Sequence, residues 1–480
     1  MDRPNIVVIV SDDQGYGDLS CMGATDFRTP RLDELARSGA RFTSFCVNSP
    51  VCSPSRASLL TGRYPGNAGV RNILMAHRDT PGLAPDAPTL AEALQAEGYY
   101  TGLVGKWHLG AAEGGRPNDR GFDEAFGHLG GAVDFYSHLS WGAANREVVH
   151  NGKKGIGFLM HDLWEDGTEV WRDGEYATEL FGERAVQFVR QAARREQPFF
   201  LYLAFNAPHH PMHAPNKYKE RFPNLPWDRQ IMAAMLSAMD DQIGSVMDEL
   251  ERQGVRENTL VLFLSDNGPS RQSRNWLDGS LDWYYGGSSG VFTGHKFSLF
   301  EGGIRVPAIA SWPARIPAGQ VVDGLALGMD VFPTVLQAAG GDPSRYQTDG
   351  SDLTAMLADG AASPHADEDV FWEMGVQTAV RRGPWKLVLN GLLIDDLPQR
   401  DAVHLSNIEA DLGERTNLAG EQPALVADMQ AAAERWRAGI EDRWTREHAA
   451  RMVGENAFAV TDSSGLKVWD NQNNPALGDT

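Results

Sequence analysis

Four short runs of consecutive apolar residues constrain the fold of this chain most tightly: Asn5–Ser11 (NIVVIVS), Thr101–Val104 (TGLV), Pro198–Phe205 (PFFLYLAF) and Thr259–Ser265 (TLVLFLS). A strand with one wet face alternates apolar and polar residues, whereas a strand covered on both faces reads as an unbroken hydrophobic run. Between these runs lie stretches with helical patterning. Arg31–Ser38 ends at Gly39, and Thr89–Glu97 opens on the capping pair Thr89 and Glu92 and closes at Gly98. Tyr176–Arg194 and Asp228–Gln253 are the other two. Buried strands alternating with helices predict an α/β fold in which a large mixed, mostly parallel sheet is flanked by helices.

Each run stops at polar residues. Asp12 and Asp13 follow the first, Gly105-Lys106-Trp107-His108 the second, Asn206-Ala207-Pro208-His209-His210-Pro211 the third, and Asp266-Asn267 the fourth. Taken singly these have ordinary readings: Asp12-Asp13 suits a solvated turn, and Lys106, His108 and the His209-His210 pair suit an exposed surface. Taken together they do not, because the carboxyl ends of the strands of an open α/β sheet face one crevice. Neighbouring carboxylates at the end of an apolar strand repel unless a cation holds them. Asp12, Asp13, Asp266 and Asn267 offer only oxygen, which selects a hard cation, Ca2+ or Mg2+, over zinc.

The stretch Pro50–Arg63, PVCSPSRASLLTGR, has a different character. It reads as a loop that delivers Cys52 to a helix start, with Ser53 as N-cap, Pro54 at the first helical position and Gly62 as C-terminal cap. Arg56, four residues on, is then a fixed cation near the sulfur, at the positive end of the helix dipole. A lone cysteine in this position is equally a small buried hydrophobe.

Cys52, Pro54 and Arg56, continued by Leu59-Leu60-Thr61-Gly62-Arg63, resemble the Cys-X-Pro-X-Arg signature of the type I formylglycine-dependent sulfatases, arylsulfatase-like members of the alkaline phosphatase superfamily. The resemblance runs from the Asp12-Asp13 strand to the C-terminal hairpin. It implies an alkaline phosphatase-like sheet with a smaller C-terminal antiparallel sheet plus helix. It further implies that a formylglycine-generating enzyme oxidises Cys52 to formylglycine, whose hydrated aldehyde is the nucleophile. Calcium is the family's usual metal, held by Asp12, Asp13, Asp266, Asn267 and an oxygen of residue 52. Lys106 then binds sulfate with Arg56, and His108 works on the formylglycine hydroxyl. The Pro-His-X-Pro segment points to His209 as the catalytic histidine, with His210 the weaker choice. The string His295–Arg305 resembles the family's second lysine segment, which makes Lys296 the partner of His209. The implied reaction is hydrolysis of a sulfate monoester of a carbohydrate or aryl alcohol. Two rival readings are a phosphonate monoester or phosphodiester hydrolase on the same metal corner, and a non-catalytic anion- or sugar-binding protein in which Cys52 stays a thiol.

The 480 residues suggest a catalytic domain over 1–365 and a C-terminal subdomain over 366–480. In the latter, Gln377–Arg382 and Trp385–Asn390 read as a hairpin around Gly383-Pro384, and Leu425–Arg437 as a covering helix. Residues 340–369 read as a connector, Asp330 as a structural carboxylate, and 111–171 as a long excursion that shapes the pocket. Tyr136, Trp141, Trp276, Trp283, Tyr284 and Tyr285 are aromatic surfaces for a sugar or aryl ring, or core. A net charge of −21 argues against nucleic acid as partner. No apolar run is long enough to span a membrane. The start is too short in its apolar part for a signal peptide, which reads as cytoplasmic as written, or as exported after signal removal. Cys21 and Cys46 read as plain buried thiols or a single bridge, not a disulfide framework.

Overall fold

The computed structural model describes residues 3–74, 78–150, 153–271, 286–393 and 400–452, with backbone alone at 141–150 and 153–159. Its main sheet has ten strands. In chain order these are β1 (Asn5–Ser11), β2 (Ala40–Phe42), β3 (Tyr100–Lys106), β4 (Glu124–His128), β5 (Trp164–Glu165), β6 (Thr168–Glu169), β7 (Phe199–Ala204), β8 (Thr259–Ser265), β9 (Ala308–Ser311) and β10 (Gln320–Val322). They lie side by side as β10-β2-β9-β8-β1-β7-β3-β4-β5-β6. The central five, β8 to β4, are parallel, and β9 and β5 join them antiparallel on either side.

The unbroken apolar runs are buried on both faces. Along β1, Ile6, Val8 and Val10 enter one core with helices Cys52–Thr61, Leu90–Ala96 and Val331–Ala338, while Val7 and Ile9 enter the other with Pro30–Arg37, Ala177–Ala192 and Trp227–Arg252. The period of two along the strand sends successive side chains to opposite layers, and each fully buried Val or Ile contributes about 1.5–3 kcal/mol. Thr89 accepts from the Glu92 N–H and Glu92 from that of Thr89, so the capping pair forms as the sequence predicts.

Two expectations need correction. The Ser53 hydroxyl does not cap its helix: the helix begins at Cys52, Val51 is the N-cap in extended geometry, and Ser53 Oγ accepts from the Leu74 N–H at 3.0 Å. Residues 111–171 are not a simple excursion, since they contain β4, which pairs with β3 from Gly102↔Glu124 to Lys106↔His128. Cys21 and Cys46 are plain thiols, the first of the two sequence readings, with Cys46 buried and Cys21 partly exposed. Asp330 is structural as expected, accepting from the Leu327 and Ser351 N–H groups and facing His365.

At the C-terminal end, the expected hairpin is the centre of a four-stranded antiparallel sheet with Asp369–Met374 and Asp401–Asn407 outside it. Helix Pro423–Arg443 lies on it through Met429 and Ala433 against Val380, Leu387 and Leu405. Ion pairs tie this sheet and its helix to segments that flank the main sheet. Lys386 donates to Glu301 at 2.7 Å, and Arg71 forks onto Glu373 at 2.8 and 2.5 Å and onto Glu441 at 2.9 and 2.7 Å. No helix among the described residues is long and apolar enough to cross a membrane.

Candidate functional site

The four adjacent parallel strands β8, β1, β7 and β3 bring their carboxyl ends together, and the polar residues after each run meet there. Ser11 stands opposite Ser265 in the β1–β8 register, so Asp12-Asp13 and Asp266-Asn267 leave the sheet side by side. The Asp13 N–H donates to Asp266 Oδ1 at 3.1 Å, with Asp13 in the left-handed region at φ 63°. Asn267 Nδ2 donates to Asp13 Oδ1 at 2.7 Å. Burial, foremost, pushes the Asp12 carboxyl up to about 8 against the pull of Lys106. Burial also works on Asp266, but Arg56, Lys106 and Lys296 outweigh it and hold that carboxyl below its ordinary value.

Three buried cations face these carboxylates. Lys106 Nζ donates to Asp12 Oδ2 at 2.6 Å. Arg56 reaches across to Asp266, Nε at 2.9 Å and Nη2 at 2.8 Å, and donates from Nη1 to the Lys106 carbonyl at 3.2 Å. Lys296 Nζ lies 2.8 and 2.9 Å from the two Asp13 oxygens. The Cys52 sulfur sits among them at the helix start, its thiol raised by burial while Lys106 and Lys296 pull it down. Arg56 is thus directed at Asp266, and the cations bearing most on the sulfur are the two lysines.

The two histidines have fixed tautomers. A carbonyl only accepts, so His108 Nε2, 2.8 Å from the Leu74 oxygen, carries the proton, and the buried Nδ1 is left as a lone pair without a partner. His209 Nδ1 donates to the His210 carbonyl at 2.7 Å, leaving Nε2 to face Lys296 Nζ at 3.3 Å and Asp13 Oδ2 at 3.5 Å. Burial drives both imidazoles well below their ordinary pKa, with Lys106 adding to this at His108 and His210 at His209. The structure therefore places His209 against Lys296, with the His210 carbonyl orienting it and the His210 ring lying against it at 4.1 Å.

The donor set fits a hard cation. Asp12 Oδ1 and Asn267 Oδ1 are buried without a hydrogen-bond partner, the former with Arg56 Nη2 no closer than 3.8 Å, an arrangement that costs desolvation and leaves both oxygens open to a cation. Ligand atoms of Asp12, Cys52 and Asp266 lie within 4.8 Å of one another.

Three neighbours escape a reading of single motifs. Asn206, just past β7, is buried with both amide atoms unpartnered. His128 ends β4 beside Lys106 and holds the Gly130 carbonyl through Nδ1 at 3.0 Å. The Leu74 carbonyl sets the His108 tautomer. Asn206 obeys the strand-end rule, whereas no local signal marks the other two. Of the aromatic residues, half-buried Tyr136 packs on Tyr176 and His213. Trp276, Trp283, Tyr284 and Tyr285 lie outside the described residues, as does the side chain of Trp141.

The model of the family described as Sulfatase matches residues 4–341. Arylsulfatase A of Homo sapiens is 34% identical over 447 residues, covering 89% of this chain and 81% of that protein. N-acetylgalactosamine-6-sulfatase of Rattus norvegicus is 35% identical over 393 residues, 80% of this chain and 71% of that one. The crystal structure of Ps i-CgsB in complex with k-i-k-neocarrahexaose superposes with a TM-score of 0.77 at 30% identity, covering 93% of this chain and 98% of that one. Motif, sheet and strand-end chemistry agree with these matches: the chain belongs to the sulfatase family and is a sulfuric ester hydrolase of the alkaline phosphatase superfamily.

Proposed function

We propose that this enzyme hydrolyses sulfate monoesters of a carbohydrate through residue 52 as formylglycine, with Asp12, Asp13, Asp266, Asn267 and residue 52 holding Ca2+ or Mg2+. The observation that carries this reading is the conjunction at one crevice of the Cys52 helix start, the orphaned oxygens of Asp12 and Asn267, and two tautomer-fixed histidines. Formylglycine supplies a hydrated aldehyde as nucleophile, and the cation supplies charge that offsets the carboxylates and favours an anionic group beside them. Lys106 and Lys296 hold the sulfate oxygens and keep their charge stabilised as it redistributes. Arg56 keeps Asp266 ionised and aimed. Lys296 and His209 Nε2 share a proton at 3.3 Å and deliver it to the departing alcohol oxygen. His108 Nδ1 takes the proton released at residue 52 when sulfate leaves. Acid and base groups of this kind contribute about 10²–10⁴-fold each.

The names of two relatives, an N-acetylgalactosamine-6-sulfatase and an enzyme crystallised with a neocarrahexaose, favour a sulfated carbohydrate over a simple aryl ester. In this reading residues 1–365 form the catalytic domain and 366–480 a C-terminal subdomain. The remaining partner is a formylglycine-generating enzyme during maturation. Mass spectrometry of the tryptic peptide Phe42–Arg56, with rates on sulfated saccharides, aryl sulfates and phosphate diesters measured in parallel, tests the reading. The expected result is an aldehyde at residue 52 and a preference for sulfate esters. An unmodified thiol in fully active protein, or a preference for the diester, overturns it.

A further inference from the structure

A second cluster stands apart from the oxygen-rich crevice. His138 follows the turn that Asp134 caps, accepting from the Tyr136 and Ser137 N–H groups, and His161 ends the strand Lys153–His161. With Asp173 they place ligand atoms within 4.8 Å of one another. The two imidazoles are 1% and 6% exposed, and their rings meet edge to face at 6.4 Å. Nε2 of His161 has no hydrogen-bond partner, and the His138 ring makes only a loose approach to the Glu175 backbone, outside good hydrogen-bond geometry. Buried imidazole nitrogens are ordinarily satisfied, so two rings that each bring an open nitrogen to the same small space need an explanation.

The other nitrogen of His161 supplies it. Nδ1 lies 3.1 Å from Glu169 Oε1; a carboxylate only accepts, so the proton is on Nδ1 and Nε2 is a lone pair facing the cluster. Glu169 is itself held by Arg78 at 2.9 Å. A carboxylate that fixes the outer nitrogen of a histidine and raises the basicity of the inner one is the arrangement found behind metal-ligating histidines. Trp171 stacks on the His161 ring at 3.7 Å and covers one face of it, while the exposed Asp173 brings a carboxylate within reach of both imidazoles. Two imidazoles and one carboxylate select a borderline cation such as Zn2+, in contrast to the oxygen-only set of Asp12, Asp13, Asp266 and Asn267.

We propose that His138, His161 and Asp173 form a zinc-type site, oriented by Glu169, that braces the wall of the catalytic crevice. The brace is short. The Asp162 N–H donates to the His138 carbonyl at 2.9 Å, and the Asp162 carboxylate receives the N–H groups of Leu129 and Gly130 at 3.0 and 2.8 Å. The next residue, Gly131, abuts the His108 ring. A cation at the two histidines therefore fixes the segment that backs His108.

The test is a Zn2+ titration of the chelator-stripped full chain against a chromogenic chelator, in excess Ca2+ and in a Cys52→Ser background that removes the competing thiol. One tightly held Zn2+ per chain is expected. His138→Ala with His161→Ala should abolish it, and Glu169→Gln should weaken it by about 10–100-fold. Substituted Co2+ should give a visible d–d spectrum that the double variant lacks. Failure to retain Zn2+ in excess Ca2+ overturns the proposal, as does unchanged affinity in the double variant. If circular dichroism shows the double variant unfolded, Glu169→Gln alone decides, and wild-type affinity there overturns the proposal.

Discussion

Gly131→Ala removes no functional group, yet it is expected to cripple turnover. A Cβ built at Gly131 falls 2.5 Å from His108 Cε1, 2.7 Å from Nε2 and 3.2 Å from Nδ1. The backbone there is not in the left-handed region, so alanine suffers no conformational strain of its own, and the whole cost falls on the imidazole. Carbon atoms settle at about 3.5–4.0 Å, so the ring must retreat by on the order of 1 Å. It is 1% exposed and tethered to the Leu74 carbonyl at 2.8 Å, which leaves it no free direction. A misplacement of that size costs about 10²-fold in rate, or roughly 2.7 kcal/mol of barrier. His108 is proposed to act only after the alcohol has departed, so the loss should fall on kcat with the first turnover preserved. Rapid mixing with a chromogenic aryl sulfate should show a burst of about one equivalent of phenol followed by slow turnover, a pattern that marks an accumulating covalent intermediate. Circular dichroism and Tm should stay near wild type. A folded Gly131→Ala enzyme with unchanged kcat, or one that slows the first turnover as much as the steady state, would refute the assignment of His108.

His209→Ala should lower kcat by about 10²–10⁴-fold on sugar sulfates, whose alkoxide is a poor leaving group, and far less on nitrophenyl sulfate; equal losses on both would exclude a leaving-group acid. Chelation should abolish activity, and Ca2+ or Mg2+ at 100 times its Kd should restore it while stabilising the fold by about 2.7 kcal/mol, read as a rise in Tm. Burial, against the pull of Lys386 and helped by Glu301, pushes the Glu414 carboxyl from 4.5 up to about 7. The native state then keeps a proton that the unfolded chain releases between those pH values, so stability should fall as pH rises from 4.5 to 7, by up to about 1.4 kcal/mol per unit. Glu414→Gln should flatten that part of the denaturation profile; an unchanged slope would show that Glu414 is not the group responsible.

The legible parts of the structure are those in which one physical demand acts on consecutive residues. Burial on both faces leaves no polar position in Ile6–Val10 or Phe199–Ala204, so those strands, and the crevice their ends must share, can be read directly. The strand Glu124–His128 obeys a different demand. It lies toward the sheet edge, packs through Phe126 and Ala125, and carries Gly127 at φ 154° against the Gly105 carbonyl, so its sequence EAFGH gives no strand signal. Residue identity cannot reveal partners distant in the chain. Arg56 looks like a companion to the sulfur four residues away, but its guanidinium is drawn to Asp266, and the Leu74 carbonyl that fixes His108 is a backbone atom any residue provides. Likewise Ser53 has the chemistry of an N-cap, but the helix starts two residues earlier than that would place it, with Val51 as the cap, and the Ser53 hydroxyl serves the Leu74 N–H.

Charge counting within the crevice explains why an acidic protein can serve an anionic substrate. The chain as a whole carries −21, yet that charge sits on exposed side chains, where salt screens it beyond about 8 Å at physiological strength. Inside, the carboxylates of Asp12, Asp13 and Asp266 face Arg56, Lys106 and Lys296, all six at most 3% exposed. With all three carboxylates ionised, the state in which they can hold a cation, and the histidines neutral, these six groups sum to zero, so the side chains by themselves offer a sulfate ester no net attraction. A divalent cation at the orphaned oxygens of Asp12 and Asn267 changes the sum to +2 against the single negative charge of a sulfate monoester, in a setting where water is excluded and each charge counts for more. The paired lysines then have a second use. Each is held at 2.6–2.9 Å by a carboxylate, so its ammonium is in place before substrate arrives, and the cost of ordering it is met in folding rather than in binding. The acidic corner comes from two different strand ends because the β1–β8 register, with Ser11 opposite Ser265, is what sets the carboxylates of Asp12, Asp13 and Asp266 side by side, where the proposed cation would add to the three basic side chains already facing them.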